Sequence, residues 1–174
     1  MENEADFDLL YHKYKRLVYN LSLNYTFDAD DAKDITQEVF VKIYQKRHQY
    51  SSLGGSEKNW IFGITINQCL DFLKSKRRKK RFGTIVSLFY PNSNEPINSA
   101  LSLSHPGIQM EQKEELENLL NVIYHLPEKQ KTVIILLKIE DRSQKEVAEI
   151  MGLSEKAVES LFQRAKQNIK KKIE

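Results

Sequence analysis

With 174 residues, 40% hydrophobic and 29% charged, and only six Gly and four Pro, the chain has the composition of a globular protein of long helices, in one domain or two small ones. No apolar run approaches the ~20 residues of a membrane span, no charged-then-apolar segment opens the chain, and the single cysteine, Cys69, excludes an intrachain disulfide; a cytoplasmic location is expected. The net charge of +3 hides a partition: −3 over 1–57 (7 basic, 10 acidic), +7 over 58–83 (8 and 1), −4 over 84–127 (1 and 5) and +3 over 128–174 (11 and 8), so two basic blocks flank an acidic spacer, which suits two contacts with one extended polyanion.

Residues 5–24 read as a helix, with Phe7, Leu10, Tyr14, Leu17, Val18 and Leu21 at helical spacing. The segment TFDAD breaks it, and Asp28 or Asp30 caps the helix that follows, from about Asp30 to Gln49. Ala32, Ile35, Val39 and Ile43 form its buried stripe, leaving Asp31, Asp34, Gln37, Glu38 and Lys42 outside. Acids are favoured at a helix N-terminus, so the group Asp28, Asp30, Asp31, Asp34 and Glu38 is read as helix-stabilising or as a docking face for a basic partner. A magnesium site is the weaker alternative, because no phosphate-cradling Gly loop accompanies it.

After the polar loop YSSLGGSE comes a helix over 56–81 with Ser56 as cap. Trp60, Ile64, Asn67 and Asp71 share one face, and Phe62, Ile66, Cys69 and Leu73 another. Two apolar faces predict packing on both, inside a bundle. Seven of the eight residues 74–81 are basic, with Lys74, Arg77, Arg78 and Arg81 as a stripe that suits both the helix dipole and a phosphate backbone. Tyr44, Tyr50, Trp60 and Phe62 beside this stripe have the makings of a single-strand stacking platform. Trp60 is read as core, and Tyr50, next to the loop, as a contact. From Gly83 to about Gly107 the periodicity fails and three prolines collect, so this is read as a linker without regular structure. Its apolar cluster Ile85, Val86, Leu88, Phe89 and Tyr90 is expected to dock on something.

Residues 110–125 resume as a helix carrying Leu116, Leu119, Leu120 and Ile123. Pro127 opens a buried helix over 128–139. Ser143 and Glu146 have capping-box spacing before the short helix 144–151. Then come Gly152, Leu153 and Ser154, and a last helix from Glu155 to about Lys172. Residues 144–163 fit a helix-turn-helix: Ala148 where the helices touch, Gly152 for positive φ, and Val147, Met151, Leu153, Val158 and Leu161 locking the pair. Ser154 caps the second helix, whose outer positions are Glu155, Lys156, Glu159, Ser160, Gln163 and Arg164. Arg and Gln are base-reading types, and Glu accepts from cytosine. The four histidines (His12, His48, His105, His125) show no metal-ligand spacing with Cys69, and no nucleophile–base pair is readable. No cofactor, no metal and no catalysis are expected. The residues alone leave open a stand-alone helix-turn-helix regulator, a protein-binding adaptor, or a nucleic-acid enzyme at Asp28–Glu38.

The stretches DAKDITQEVFVKIYQ (31–45) and NWIFGITINQCLDFLKSKRRKKR (59–81) resemble region two of bacterial sigma factors of the extracytoplasmic-function branch, and 126–173 resembles their region four. The resemblance implies an all-α protein of two small helical domains, 1–82 and 110–174, joined by a flexible linker, 83–109. It implies a factor that binds core RNA polymerase and directs promoter-specific initiation by recognising −10 and −35 elements and promoting melting. Polymerase docking then falls to Asp31, Asp34, Gln37, Glu38, Phe40 and Val41. Contacts to single-stranded −10 DNA fall to Tyr50, Ser51, Ser52, Leu53, Lys58, Asn67, Lys74, Arg77 and Arg78. Duplex −35 contacts fall to Ser154, Lys156, Glu159, Ser160, Gln163 and Arg164. An anti-sigma factor, often membrane-bound in this branch, is the further partner implied. The chain departs from the family where Glu159 and Leu161 replace commonly basic residues, and where the loop 50–57 lacks an aromatic-Arg-Gly pattern.

Overall fold

In the computed structural model, which describes residues 2–50, 56–87 and 110–173, every regular element among them is helical. They are α1 (Glu2–Thr26), α2 (Ala29–Tyr50), α3 (Glu57–Ser87), α4 (Met110–Tyr124), α5 (Glu128–Ile134), a π-helical turn (Ile135–Ile139), α6 (Gln144–Met151) and α7 (Glu155–Ile173). The all-α expectation is met. The chain separates into two compact units, one comprising Met1–Gly54 with Ile64–Leu101 and the other Gly55–Gly63 with Ser102–Glu174.

In the first unit α1 and α2 form a helical hairpin joined by Phe27 and Asp28. Tyr14, Val18, Leu21 and Tyr25 of α1 are buried with Ala32, Ile35, Val39, Phe40 and Ile43 of α2. Each large aliphatic side chain withdrawn from water in this way contributes about 1.5–3 kcal/mol. The rings of Phe7 and Tyr11 meet Phe40 edge-on at 6.4 and 4.7 Å, and Phe7 meets Tyr44 at 5.1 Å. The turn is closed locally. Phe27 takes φ 53°, a left-handed conformation that costs a non-glycine residue roughly 1–2 kcal/mol, and its ring is nearly fully buried, which offsets that cost. Asp28 caps α2: its Oδ1 accepts from the backbone N–H groups of Asp30 and Asp31, both at 2.9 Å.

α3 packs differently from the expectation. It runs on through Gly83 to Ser87, so the helix ignores the change of composition at Gly83 and the linker's first residues belong to it. Its buried face is Ile61, Phe62, Thr65, Ile66, Gln68, Cys69 and Leu73, a single broad stripe. Trp60 and Ile64 are only half-buried, while Asn67 and Asp71 are exposed, so the second face is packed only in part. Asn67 and Asp71 are polar and lose nothing by staying wet. Cys69 is a small core residue, its Sγ 3.8 Å from the Ser22 Oγ of α1. Leu88, Phe89 and Tyr90 lie outside the described residues.

The second unit is centred on Ile123, Leu126, Ile134 and Ala165, with Leu119, Phe162 and Ile169 against them. Pro127 stands at the N-cap of α5, where a missing N–H costs nothing. The helix expected over 128–139 is α-helical only to Ile134 and then widens to the π turn, closed by Glu140 N–H on Ile135 O and Arg142 N–H on Leu136 O, both at 2.9 Å. Lys131 is buried, its Nζ 4.1 Å from the centre of the Tyr124 ring. α6 has the full capping box, in which the Ser143 side chain accepts from Glu146 N–H and the Glu146 carboxylate accepts from Ser143 N–H. Gly152 ends it at φ 62° and ψ 39°, and Ser154 Oγ accepts from Ala157 N–H at 3.2 Å to open α7. No Cβ at Gly152 would meet a neighbour within 4 Å, so its requirement is conformational.

The capping box generates a pH prediction. Bonds from the Ser143 N–H and then its hydroxyl, with a smaller contribution from Arg142, hold the Glu146 carboxyl below its usual 4.5. A lowered folded-state pKa means that the bond's contribution is complete above 4.5 and is lost as pH falls through the lowered value. Glu146→Gln, which keeps the shape but not the charge, is expected to cost about 0.5–1 kcal/mol in urea unfolding at neutral pH, and the gap from the parent chain narrows as pH drops below 4.5. A gap that stays constant into acid would contradict this account.

Candidate functional site

The period of α2 sorts its residues. With Ala32, Ile35, Val39 and Ile43 fully buried, Asp34, Gln37, Glu38 and Val41 are forced outward. Val41 is 56% exposed and Tyr44 47%, an apolar edge beside three polar residues. The Arg47 guanidinium lies 4.3 Å from the centre of the Tyr44 ring. Phe40 is buried, and its contacts to Phe7 and Tyr11 make it the support beneath this face.

Two acids of α2 are tied to α3. Lys76 Nζ donates to Asp31 Oδ2 at 2.5 Å. Gln68, 6% exposed, donates through Nε2 to Glu38 Oε2 and accepts on its carbonyl from Lys42 Nζ. A buried glutamine must satisfy both ends of its amide, and here it does so by fixing an acid and a cation one turn apart. Asp30 pairs with Lys33 at 2.9 Å, and Asp28 is the cap. Asp28, Asp30, Asp31 and Glu38 therefore each have a separate partner, and among the described residues no group of three or more His, Cys, Asp or Glu is disposed to hold a metal ion. Gln68 was not singled out from the sequence, since its role depends on a partner 30 positions away.

Of the residues expected to meet single-stranded DNA, Asn67, Lys74, Arg77 and Arg78 are exposed along α3 in the first unit. Tyr50 is half-buried at the end of α2. Ser51, Ser52 and Leu53 lie outside the described residues. Lys58 falls in the second unit, where its charge helps to lower the pKa of Glu146. Its neighbour Asn59 donates to Glu149 Oε2 at 2.9 Å. Phe62 is fully buried and offers no face to a base, which removes it from the stacking platform, while Trp60 is half-buried.

On α7 the residues read as facing outward are placed together on one side. Lys156, Ser160, Gln163 and Arg164 are exposed, Ser154 is the exposed cap, and Leu161 is half-buried. Arg164 folds back, its Nη2 donating to Ser160 Oγ at 2.9 Å. Glu159 is only partly exposed and does not project alone. It accepts from Gln163 Nε2 at 2.6 Å and from Gln144 Nε2, on α6, at 2.5 Å. Gln144 went unnoticed in the sequence because it lies 15 positions from Glu159, and only the turn at Gly152 brings them together.

Two family models match this chain: Sigma-70 region 2 over residues 10–79, and Sigma-70, region 4 over residues 116–169. The chain is similar to the ECF RNA polymerase sigma factor SigM of Bacillus subtilis, at 29% identity over 165 residues covering 94% of this chain and 92% of that one. It is similar to the ECF RNA polymerase sigma-E factor of Haemophilus influenzae, at 27% identity over 97% of this chain and 87% of that one. Among solved structures, its fold is like that of the sigma factor RpoE in complex with the anti-sigma factor NepR from Bartonella quintana, with a TM-score of 0.64 at 20% identity, covering 95% of each chain. CnrH in complex with the cytosolic domain of CnrY gives the same score at 19% identity, covering 96% of this chain and 86% of that one. Two region models in order and relatives matched over nearly their whole length carry one conclusion: this chain belongs to the extracytoplasmic-function branch of the sigma-70 family, factors that direct promoter-specific initiation of transcription.

Proposed function

We propose that residues 1–82 act as sigma region two, 83–109 as the connecting linker and 110–174 as region four. In this reading the outer face of α2 docks core RNA polymerase. Asp31, Asp34, Gln37, Glu38 and Val41 make the contacts, and Phe40 holds the face in place from beneath. Loop residues Ser51, Ser52 and Leu53, with Tyr50 and Asn67, take a base unstacked from the −10 element, and Lys74, Arg77 and Arg78 follow the opened backbone. Residues Ser154, Lys156, Glu159, Ser160, Gln163 and Arg164 meet duplex −35 DNA. The chain performs no catalysis and works in the cytoplasm, and no helix among the described residues is long and apolar enough to cross a membrane.

The observation that carries this reading is the sorting of α2, in which four fully buried residues leave Asp34, Gln37, Glu38 and Val41 as an outward patch. A surface that presents acids around an apolar edge suits a partner with basic residues and an apolar strip. Melting follows from differential affinity. A protein that binds opened −10 DNA more tightly than duplex shifts the equilibrium toward the open form by that difference, and an extruded base costs a few kcal/mol that its pocket must offset. Two DNA-binding units held at fixed separation by polymerase gain effective concentration that neither has when free. Both structural relatives named above are complexed with another protein, an anti-sigma factor in the case of RpoE. A regulator of that kind is the further partner proposed here, occupying the polymerase- or DNA-facing residues.

Glu38→Arg places a cation beside Lys42 and takes the acceptor from Gln68. It is expected to abolish co-purification with core polymerase while leaving far-UV dichroism unchanged, whereas Glu38→Gln retains partial binding. Unimpaired binding by Glu38→Arg would remove α2 from the interface. Replacing Arg77 and Arg78 together by alanine is expected to leave polymerase binding intact and to reduce permanganate reactivity of melted −10 thymines by about 10-fold or more, as for the loss of two phosphate contacts. Full melting by that variant would contradict the assignment of α3.

A further inference from the structure

Glu159 is one of two residues, with Leu161, at which this chain departs from a basic pattern on its reading helix, and its surroundings give the departure a purpose. A carboxylate only accepts hydrogen bonds, and each of its oxygens here holds one amide N–H: Gln163 Nε2 on Oε1 at 2.6 Å, Gln144 Nε2 on Oε2 at 2.5 Å. Gln163 is one turn further along α7, and Gln144 is the first residue of α6, so the network spans both helices of the helix-turn-helix. All three residues reach solvent on that side. The orientation of an amide is usually ambiguous, because its oxygen and nitrogen ends look alike. Against a carboxylate it is not, since only the NH2 end can donate. A flipped Gln163 would set its carbonyl oxygen against Glu159.

We propose that Glu159 is a positioning residue that fixes Gln163 for adenine in the −35 duplex. This rests on the region-four reading given above. The amide of Gln163 has two N–H groups and a carbonyl. With one N–H committed to Glu159, one donor and one acceptor remain. That pair matches the major-groove edge of adenine, whose N7 accepts and whose N6 donates. Guanine presents two acceptors, N7 and O6, and would need the N–H that Glu159 holds. Gln144 completes the arrangement by engaging the second oxygen, which keeps the carboxylate turned toward the amides. Its remaining N–H is left for a phosphate oxygen, as befits the helix that crosses the backbone in this motif. The acid thus trades phosphate attraction for a defined reading pattern.

The test uses the full chain assembled with core polymerase and a duplex library in which the −35 hexamer of a fragment that supports initiation is randomised, with retained DNA sequenced. The parent chain is expected to favour adenine over guanine by about 10-fold at one hexamer position. Gln163→Ala removes that preference at the same position. Glu159→Ala lowers the ratio there to within about 3-fold, because the freed amide can offer both N–H groups to guanine, and total retention rises as a negative charge leaves the phosphates. That combination, weaker discrimination with stronger binding, is not produced by simple loss of structure, which lowers both. An unchanged adenine preference in Glu159→Ala, or a parent chain with no preference that depends on Gln163, overturns the inference while leaving the region-four reading intact. A parent holoenzyme whose retention is indifferent to the whole hexamer overturns that reading itself.

Discussion

The first unit depends on the complete burial of one stripe of α2. Ala32, Ile35, Val39 and Ile43 recur at three- and four-residue steps, and each is shut off from solvent, so the helix has a single tolerable rotation about its axis. Everything proposed for polymerase docking follows from that rotation. A turn of one residue would carry Glu38 toward the apolar interior and bring Val39 to the surface, at the cost of stranding a charge. Gln68 adds a second restraint: it reaches from α3 to hold both Glu38 and Lys42. The exposed face is thereby fixed in register as well as in rotation.

The second unit is defined more by local chemistry than by a seam. The capping box at Ser143 starts α6, the left-handed Gly152 ends it, and Ser154 starts α7 within three residues. Short helices gain little from their own hydrogen bonds, and such start and stop signals decide where they lie. Val147 and Val158, both fully buried, then set how α6 meets α7. The consequence reaches the outer side of α7, where Glu159 can bind Gln144 only because the turn between them is tight.

Features that depend on near neighbours in the chain were legible in the residues. The stripe of α2, a cap at Asp28 or Asp30 (the structure uses Asp28), the S-x-x-E box and the positive φ of Gly152 each express a rule spanning four residues or fewer, and the structure has all of them. The order of the two region-like segments was legible by another route, their resemblance to a known family, and the region models match in that order. Features that depend on tertiary placement were not. Counting apolar residues around α3 suggested two packed faces, yet Ile61, Thr65 and Gln68 are buried while Asn67 and Asp71 face water. The composition break at Gly83 implied a helix end, but a single glycine costs a helix only about 1 kcal/mol, and α3 continues to Ser87. The π turn at Ile135–Ile139 lies in an unbroken aliphatic run that shows no local sign of it. The carboxylate–amide pairs at Glu38 and Glu159 join residues 30 and 15 positions apart, and nothing in the local pattern announces them.

These two units make sense together only if the chain lends a polymerase its choice of starting point. The most direct measurement is run-off transcription with purified core RNA polymerase on fragments of the genome that encodes this chain. Discrete transcripts that appear only when chain and core are both present, and that map to a shared pair of upstream elements, are the result predicted. Transcription that is identical with and without the chain on every fragment would contradict the account.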